Sequence, residues 1–128
     1  MDKLIIKATA KTPDVIFDPE NMKFEISGRS LPENVIKTYE PVLKWIDENL
    51  STFTEPLDFN FKVDYLNSAS AKMVSLILSK LEDIYKNGTK IQVNWFYFFD
   101  DDDILSEGKL LASLKKIPMK LIGVEDED

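Results

Sequence analysis

An α/β fold, a mixed sheet with helices mainly on one face, follows from three stretches of the sequence. Leu57, Phe59, Phe61, Val63 and Tyr65 alternate with Asp58, Asn60, Lys62 and Asp64, and Ile91, Val93, Trp95, Tyr97 and Phe99 alternate with Lys90, Gln92 and Asn94. Between these two strand patterns, Met73, Val74, Ile77, Leu81, Ile84 and Tyr85 recur at helical spacing. Strand, helix and strand in this order make a βαβ unit, which predicts a parallel pair with a right-handed crossover. Strict alternation also leaves each strand one wet face. A parallel sheet covered on both sides would show unbroken apolar runs, so the helices are expected on one face only.

The elements follow in chain order. Leu4 to Lys7, Val15 to Phe17 and Met22 to Ile26 read as short strands, with Asp18-Pro19-Glu20-Asn21 as turn chemistry between the last two. This predicts an N-terminal hairpin that ends at Gly28. Val35, Ile36, Tyr39, Val42, Leu43, Ile46 and Leu50 then share one face of a first helix. Pro41 lies inside it, and an interior proline costs about 3 kcal/mol, which predicts a kink or break just before it. The alternating strand from Leu57 hands over to the second helix at Leu66-Asn67-Ser68-Ala69-Ser70, and that helix stops at Asn87-Gly88. After the strand from Ile91, the segment from Ile104 to Ile117 predicts a third helix with Gly108 in its interior. Met119 to Ile122 predicts an edge strand. One domain over residues 1–124 and an acidic tail at 125–128 account for the chain, without internal repeats or linkers.

Composition removes many chemistries. The 128 residues carry 16 Lys and Arg against 23 Asp and Glu, a net charge of −7, with no histidine and no cysteine. Catalysis by Ser-His-Asp or Cys-His, disulfides and imidazole- or thiolate-based metal sites are therefore excluded, and no cofactor is expected. The acidic balance repels phosphate backbones and anionic lipid, so neither nucleic acid nor membrane is an expected partner, and another protein is. Neither a secretion signal nor an apolar run near the ~20 residues of a bilayer span is present, which places the expected location in the cytoplasm.

Three clusters each have a chemical reading and a structural one. Asp100, Asp102 and Asp103 supply carboxylates for a metal-dependent enzyme, but the spacing is not that of a known calcium loop, and the same residues favour a helix start through its dipole. Phe96 and Phe98 sit on the polar side of their strand, where they suit a dimerisation patch on the open sheet face or packing beneath a loop. At Asn67-Ser68-Ala69-Ser70 the hydroxyls suit helix capping, worth about 1 kcal/mol. The same N-terminus, with its free N–H groups and positive dipole end, also suits a phosphoryl group on Ser68. The four isolated glycines form no phosphate-binding loop.

Gly28-x-Ser30-x-Pro32-Glu33-Asn34, then Trp45, then Tyr65-Leu66-Asn67-Ser68-x-Ser70, then Trp95-x-Tyr97 resemble, in order and spacing, the SiaC-type regulatory phosphoproteins, from about Thr9 to Ile122. The resemblance implies a STAS-like mixed sheet like that of anti-sigma-factor antagonists, here with an N-terminal hairpin, one βαβ unit and helices mainly on one face. It further implies a non-enzymatic partner-switching role, in which a protein kinase phosphorylates a hydroxyl at a helix start and a protein phosphatase removes the phosphate. Only one form then engages a downstream effector, a diguanylate cyclase in the best-understood members. The motif match places the acceptor at Ser68, where the family member compared has Thr, and Ser70 is a second hydroxyl nearby. With the acceptor at Ser68, the partner-facing surface is expected to include Tyr65, Asn67, Ser70 and the Pro32-Glu33-Asn34 loop, with Ser68 capping the helix when unmodified.

Overall fold

A computed structural model describes residues 2–126. Six strands form one sheet in the order of the chain: β1 (Leu4–Ile6), β2 (Asp14–Asp18), β3 (Lys23–Ser30), β4 (Leu57–Leu66), β5 (Ile91–Phe98) and β6 (Met119–Val124). The first three are antiparallel, and β3 through β6 are parallel. Helices α1 (Val35–Asn49), α2 (Ser68–Lys86) and α3 (Asp102–Leu114) connect the four parallel strands. The expected single βαβ unit is thus the middle one of three. Crossovers share one hand, so a strand order that always advances the same way carries all three helices to the same face.

That face holds the core. Phe17, Phe24, Ile26, Phe59, Phe61, Val93 and Trp95 from the sheet are buried against Tyr39, Val42, Ile46, Val74, Ile77, Leu78 and Leu81 from α1 and α2. Phe17, Phe59, Phe61 and Trp95 stack in sequence across the strands with ring centroids 5.2–5.5 Å apart. The opposite face carries Glu25, Asp58, Asn60, Lys62 and Asn94. Phe96 and Phe98 are half-buried there, with the Lys62 ammonium 5.0 Å from the Phe96 ring centre. Strand alternation therefore did foretell an open sheet.

Three local expectations need correction. The hairpin does not end at Gly28: β3 runs on to Ser30, and Gly28 adopts φ of 95°, a conformation open to glycine at little cost. Helix α1 is continuous through Pro41. Both Pro41 and Lys37, whose carbonyl loses its helical donor, are exposed, so water can serve that carbonyl, while Tyr39, Val42, Trp45 and Ile46 bury the other side. Strand β5 stops at Phe98, leaving Phe99 64% exposed. Of the acidic tail, Glu125 and Asp126 are exposed, and Glu127 and Asp128 lie outside the described residues.

Candidate functional site

The site starts with a slip in register. Gly28 of β3 pairs with Val63, but the next residue, Arg29, pairs with Tyr65, so Asp64 is an extra residue in β4. A bulge of this kind exchanges the faces of the residues beyond it. Odd-numbered residues from Leu57 to Val63 point into the core, yet after Asp64 it is Leu66, paired with buried Ser30, that packs inward. Tyr65, expected on the inner face from its alternation, is instead 46% exposed beside exposed Arg29.

The chain then turns into α2 under control of Ser30. Its carbonyl accepts from the Asn67 N–H at 3.0 Å. The Asn67 side chain accepts from the Ser70 N–H at 2.8 Å, so the cap is Asn67 and not Ser68. Ser68 is the first helical residue and is exposed, because a side chain at that position projects beyond the cap toward solvent. Two residues on, Ser70 is fully buried. Its Oγ accepts from Ser30 Oγ at 2.7 Å, and Ser30 Oγ lies 2.6 Å from the Tyr39 hydroxyl. Burial pushes the Tyr39 phenol above its usual pKa, so it stays protonated through the neutral range. Ser70, expected on an exposed surface beside Ser68, is instead buried, with its hydroxyl engaged in packing and hydrogen bonding.

The Pro32-Glu33-Asn34 loop is also reassigned in part. Pro32 is buried, and the Asn34 side chain caps α1 by accepting from the Lys37 N–H at 3.0 Å. Exposed Glu33 lies 3.6 Å from the Lys11 ammonium. None of the three lines the groove in front of Ser68.

That groove, about 500 Å³, is lined by Asp64, Tyr65, Leu66, Asn67, Ser68 and Ala71 on one side and by Asp101, Asp103, Ile104 and Glu107 on the other. Helix α3 forms the second wall. Asp101 caps it, accepting from the Ile104 N–H at 3.0 Å, and the Trp95 indole N–H donates to the Ile104 carbonyl at 3.0 Å. Gly108 lets the helix approach further: a Cβ there would lie 2.6 Å from Trp95 Nε1 and 2.9 Å from Leu121 Cδ2. Ser68 thus shares its groove with the carboxylates of Asp64, Asp101, Asp103 and Glu107. Among the described residues, no group of three or more acidic side chains is placed to hold a metal ion.

The acidic wall is what residue spacing alone missed. Asp101 and Ser68 are 33 positions apart, and each follows a parallel strand. Neighbouring parallel strands end on the same edge of a sheet, so the β4–α2 and β5–α3 junctions had to meet. The predicted βαβ unit contained that signal.

Residues 6–124 match the model of the SiaC family of regulatory phosphoproteins. An uncharacterized protein of Pseudomonas aeruginosa (strain UCBPP-PA14) is 30% identical over 97 residues, 76% of this chain and 77% of that protein. Among solved structures, SiaC of Pseudomonas aeruginosa superimposes with a TM-score of 0.87 at 24% identity, over 97% of this chain and 100% of that one. A second, with a TM-score of 0.88 at 24% identity over 94% and 99%, is from the crystal structure of the Pseudomonas aeruginosa diguanylate cyclase SiaD in complex with its activator SiaC. The one-faced sheet, the capped β4–α2 junction and a match across almost the whole length place the chain in the SiaC family of regulatory phosphoproteins.

Proposed function

We propose that this chain is a non-enzymatic partner-switching protein whose phosphorylation at Ser68 governs binding to a downstream effector, with a diguanylate cyclase as the effector class. A protein kinase adds the phosphate, supplying ATP and metal, and a protein phosphatase removes it. The unphosphorylated form is the one that binds. The observation that carries this reading is the contrast within one helical turn: Ser68 is exposed at the helix start, whereas Ser70 is buried and committed to Ser30. The complex of the Pseudomonas aeruginosa diguanylate cyclase SiaD with its activator SiaC supports the choice of effector. Among the described residues no helix is long and apolar enough to cross a membrane, in keeping with a cytoplasmic exchange of protein partners.

The neighbourhood of Ser68 favours desolvation over simple repulsion by the partner as the reason binding is lost. A surface that fits a groove with four carboxylates carries donors or basic groups, which would welcome further negative charge. A phosphoryl group of about −1.5 to −2 charge nonetheless keeps a hydration shell that a close-packed interface must strip. It also sits beside Asp101 and Asp103 and strains the groove from within. Exposed Tyr65 and half-buried Asn67 complete the partner-facing surface on this reading, with Asp101, Asp103 and Glu107 opposite.

Mass spectrometry of the protein recovered from its own cells, with the phosphate located at peptide level, tests the assignment. Phosphate at Ser68 that rises and falls with kinase and phosphatase activity is expected. A phosphate found only elsewhere, or equal effector affinity for the Ser68-phosphorylated and unmodified forms, overturns it.

A further inference from the structure

The buried hydroxyls beneath α2 form a directed chain. Ser30 Oγ has one proton, and it donates that proton to Ser70 Oγ at 2.7 Å. The 2.6 Å contact between Ser30 Oγ and Tyr39 must then be donated by the Tyr39 hydroxyl, which burial keeps protonated. The order is Tyr39 to Ser30 to Ser70. Ser30 meanwhile accepts from the Asn67 N–H through its carbonyl, and Asn67 closes the turn by accepting from the Ser70 N–H. One residue of β3 therefore grips the turn that carries Ser68 at both ends, at 67 and at 70, and a helix α1 phenol orients that residue.

We infer that Tyr39 and Ser30 are positioning residues for Ser68: they hold the Asn67–Ser70 turn in the single arrangement in which the acceptor hydroxyl stands clear of the helix. Three polar side chains are fully buried here where apolar ones would pack, and such satisfied networks select one local geometry among near-equivalent ones. Neither residue touches Ser68 in this chain of bonds; each acts through Asn67 and Ser70. The inference rests on Ser68 being the acceptor only for its consequence in phosphorylation, and not for its geometry.

Two measurements on the full chain separate these. Amide hydrogen exchange, read residue by residue for wild type, Tyr39→Phe and Ser30→Ala, reports the turn itself. Tyr39→Phe is expected to speed exchange at residues 69–71 about tenfold or more and leave residues 77–84 of α2 unchanged. Uniform acceleration along α2, or none at the turn, overturns the positioning role. Phosphate occupancy of Ser68 in the chain's own cells at matched abundance is the second readout. Severalfold lower occupancy in Tyr39→Phe is expected. Unchanged occupancy beside an accelerated turn would refute the link to phosphorylation. If wild type itself carries no phosphate at Ser68, the proposed function fails while the exchange data still decide the geometry.

Discussion

Helices α2 and α3 begin alike and are seated differently. Each starts at the end of a parallel strand, and in each the cap side chain accepts from the backbone N–H three residues on, Asn67 from Ser70 and Asp101 from Ile104. Beyond the cap they diverge. Helix α2 rests on the sheet through a long stripe of Val74, Ile77, Leu78, Leu81 and Ile84, and its first turn is uncharged. Helix α3 buries only Ile104, Gly108 and Leu111, and its first turn carries Asp102 and Asp103. A neutral N-terminus leaves its dipole free for an incoming phosphate, while an acidic one has already used it. On the proposed phosphorylation of Ser68, the α2 N-terminus would receive the added charge while the start of α3 opposes it.

The comparison breaks most severely if the receiving wall is charged permanently. Ser68→Asp is expected to weaken effector binding by roughly 3 to 4 kcal/mol, two to three decades in affinity, measured by calorimetric titration. Ser68→Ala should bind like wild type and ignore the kinase. Equal affinities for Ser68→Asp and wild type would leave the contrast between the two walls without functional meaning.

The next effect concerns how α3 is seated. Gly108→Ala places a methyl group against the ring of fully buried Trp95 and the Leu121 side chain, and overpacking of this kind costs about 1 to 3 kcal/mol. Thermal unfolding followed by circular dichroism checks this. An alanine tolerated without loss would show that α3 is free to lift.

Smaller and more symmetrical losses are expected at the caps. Asn67→Ala and Asp101→Ala should each cost about 1 kcal/mol in denaturant unfolding. Asp101→Asn keeps an acceptor and forfeits only the charge at the dipole, about 0.3 to 1 kcal/mol. If Asp101→Asn proves as costly as Asp101→Ala, the charge and not the cap holds the start of α3.

The least of the effects is present at neutral pH and is lost in acid. Glu82 of α2 accepts from the Lys116 N–H just beyond α3 and lies 3.7 Å from the Lys86 ammonium; that backbone bond, ahead of the nearby lysines, holds its carboxyl below the usual glutamate range. A carboxylate with a depressed folded-state pKa stabilises the fold above its unfolded value and loses that contribution as pH falls through the folded one. Glu82→Gln should therefore differ from wild type at neutral pH, begin to approach it as the pH falls past the ordinary glutamate value, and converge with it once the pH has passed the lowered folded-state value, in unfolding curves taken across the acid range. A difference that persists in strong acid would mean that the side chain joins α2 to the end of α3 by packing alone.

Much of this architecture was legible in the residues. The alternation of Phe59, Phe61 and Val63 foretold the open face, the stripe from Met73 to Tyr85 foretold α2, and the Asn67-Ser68-Ala69-Ser70 junction marked the helix start. These are local signals: a period of two or 3.6 reports which side of an element is dry, and a capping residue reports where a helix begins.

What the residues alone could not assign was the fate of individual side chains where elements meet. Tyr65 turns outward because β4 gains Asp64 against β3, a mismatch that exists only once two strands are paired. Ser68 and Ser70 carry the same hydroxyl, and one is exposed while the other is buried because Ser30 and Tyr39 lie beneath the second. Asp101, Asp103 and Glu107 face Ser68 because β4 and β5 end on the same edge. The sequence determined the elements, their wet and dry sides and the family, since each depends on short-range periodicity and pattern. Tertiary structure alone decided which hydroxyl is free and which charges surround it, since burial and electrostatic neighbourhood depend on residues brought together from distant parts of the chain.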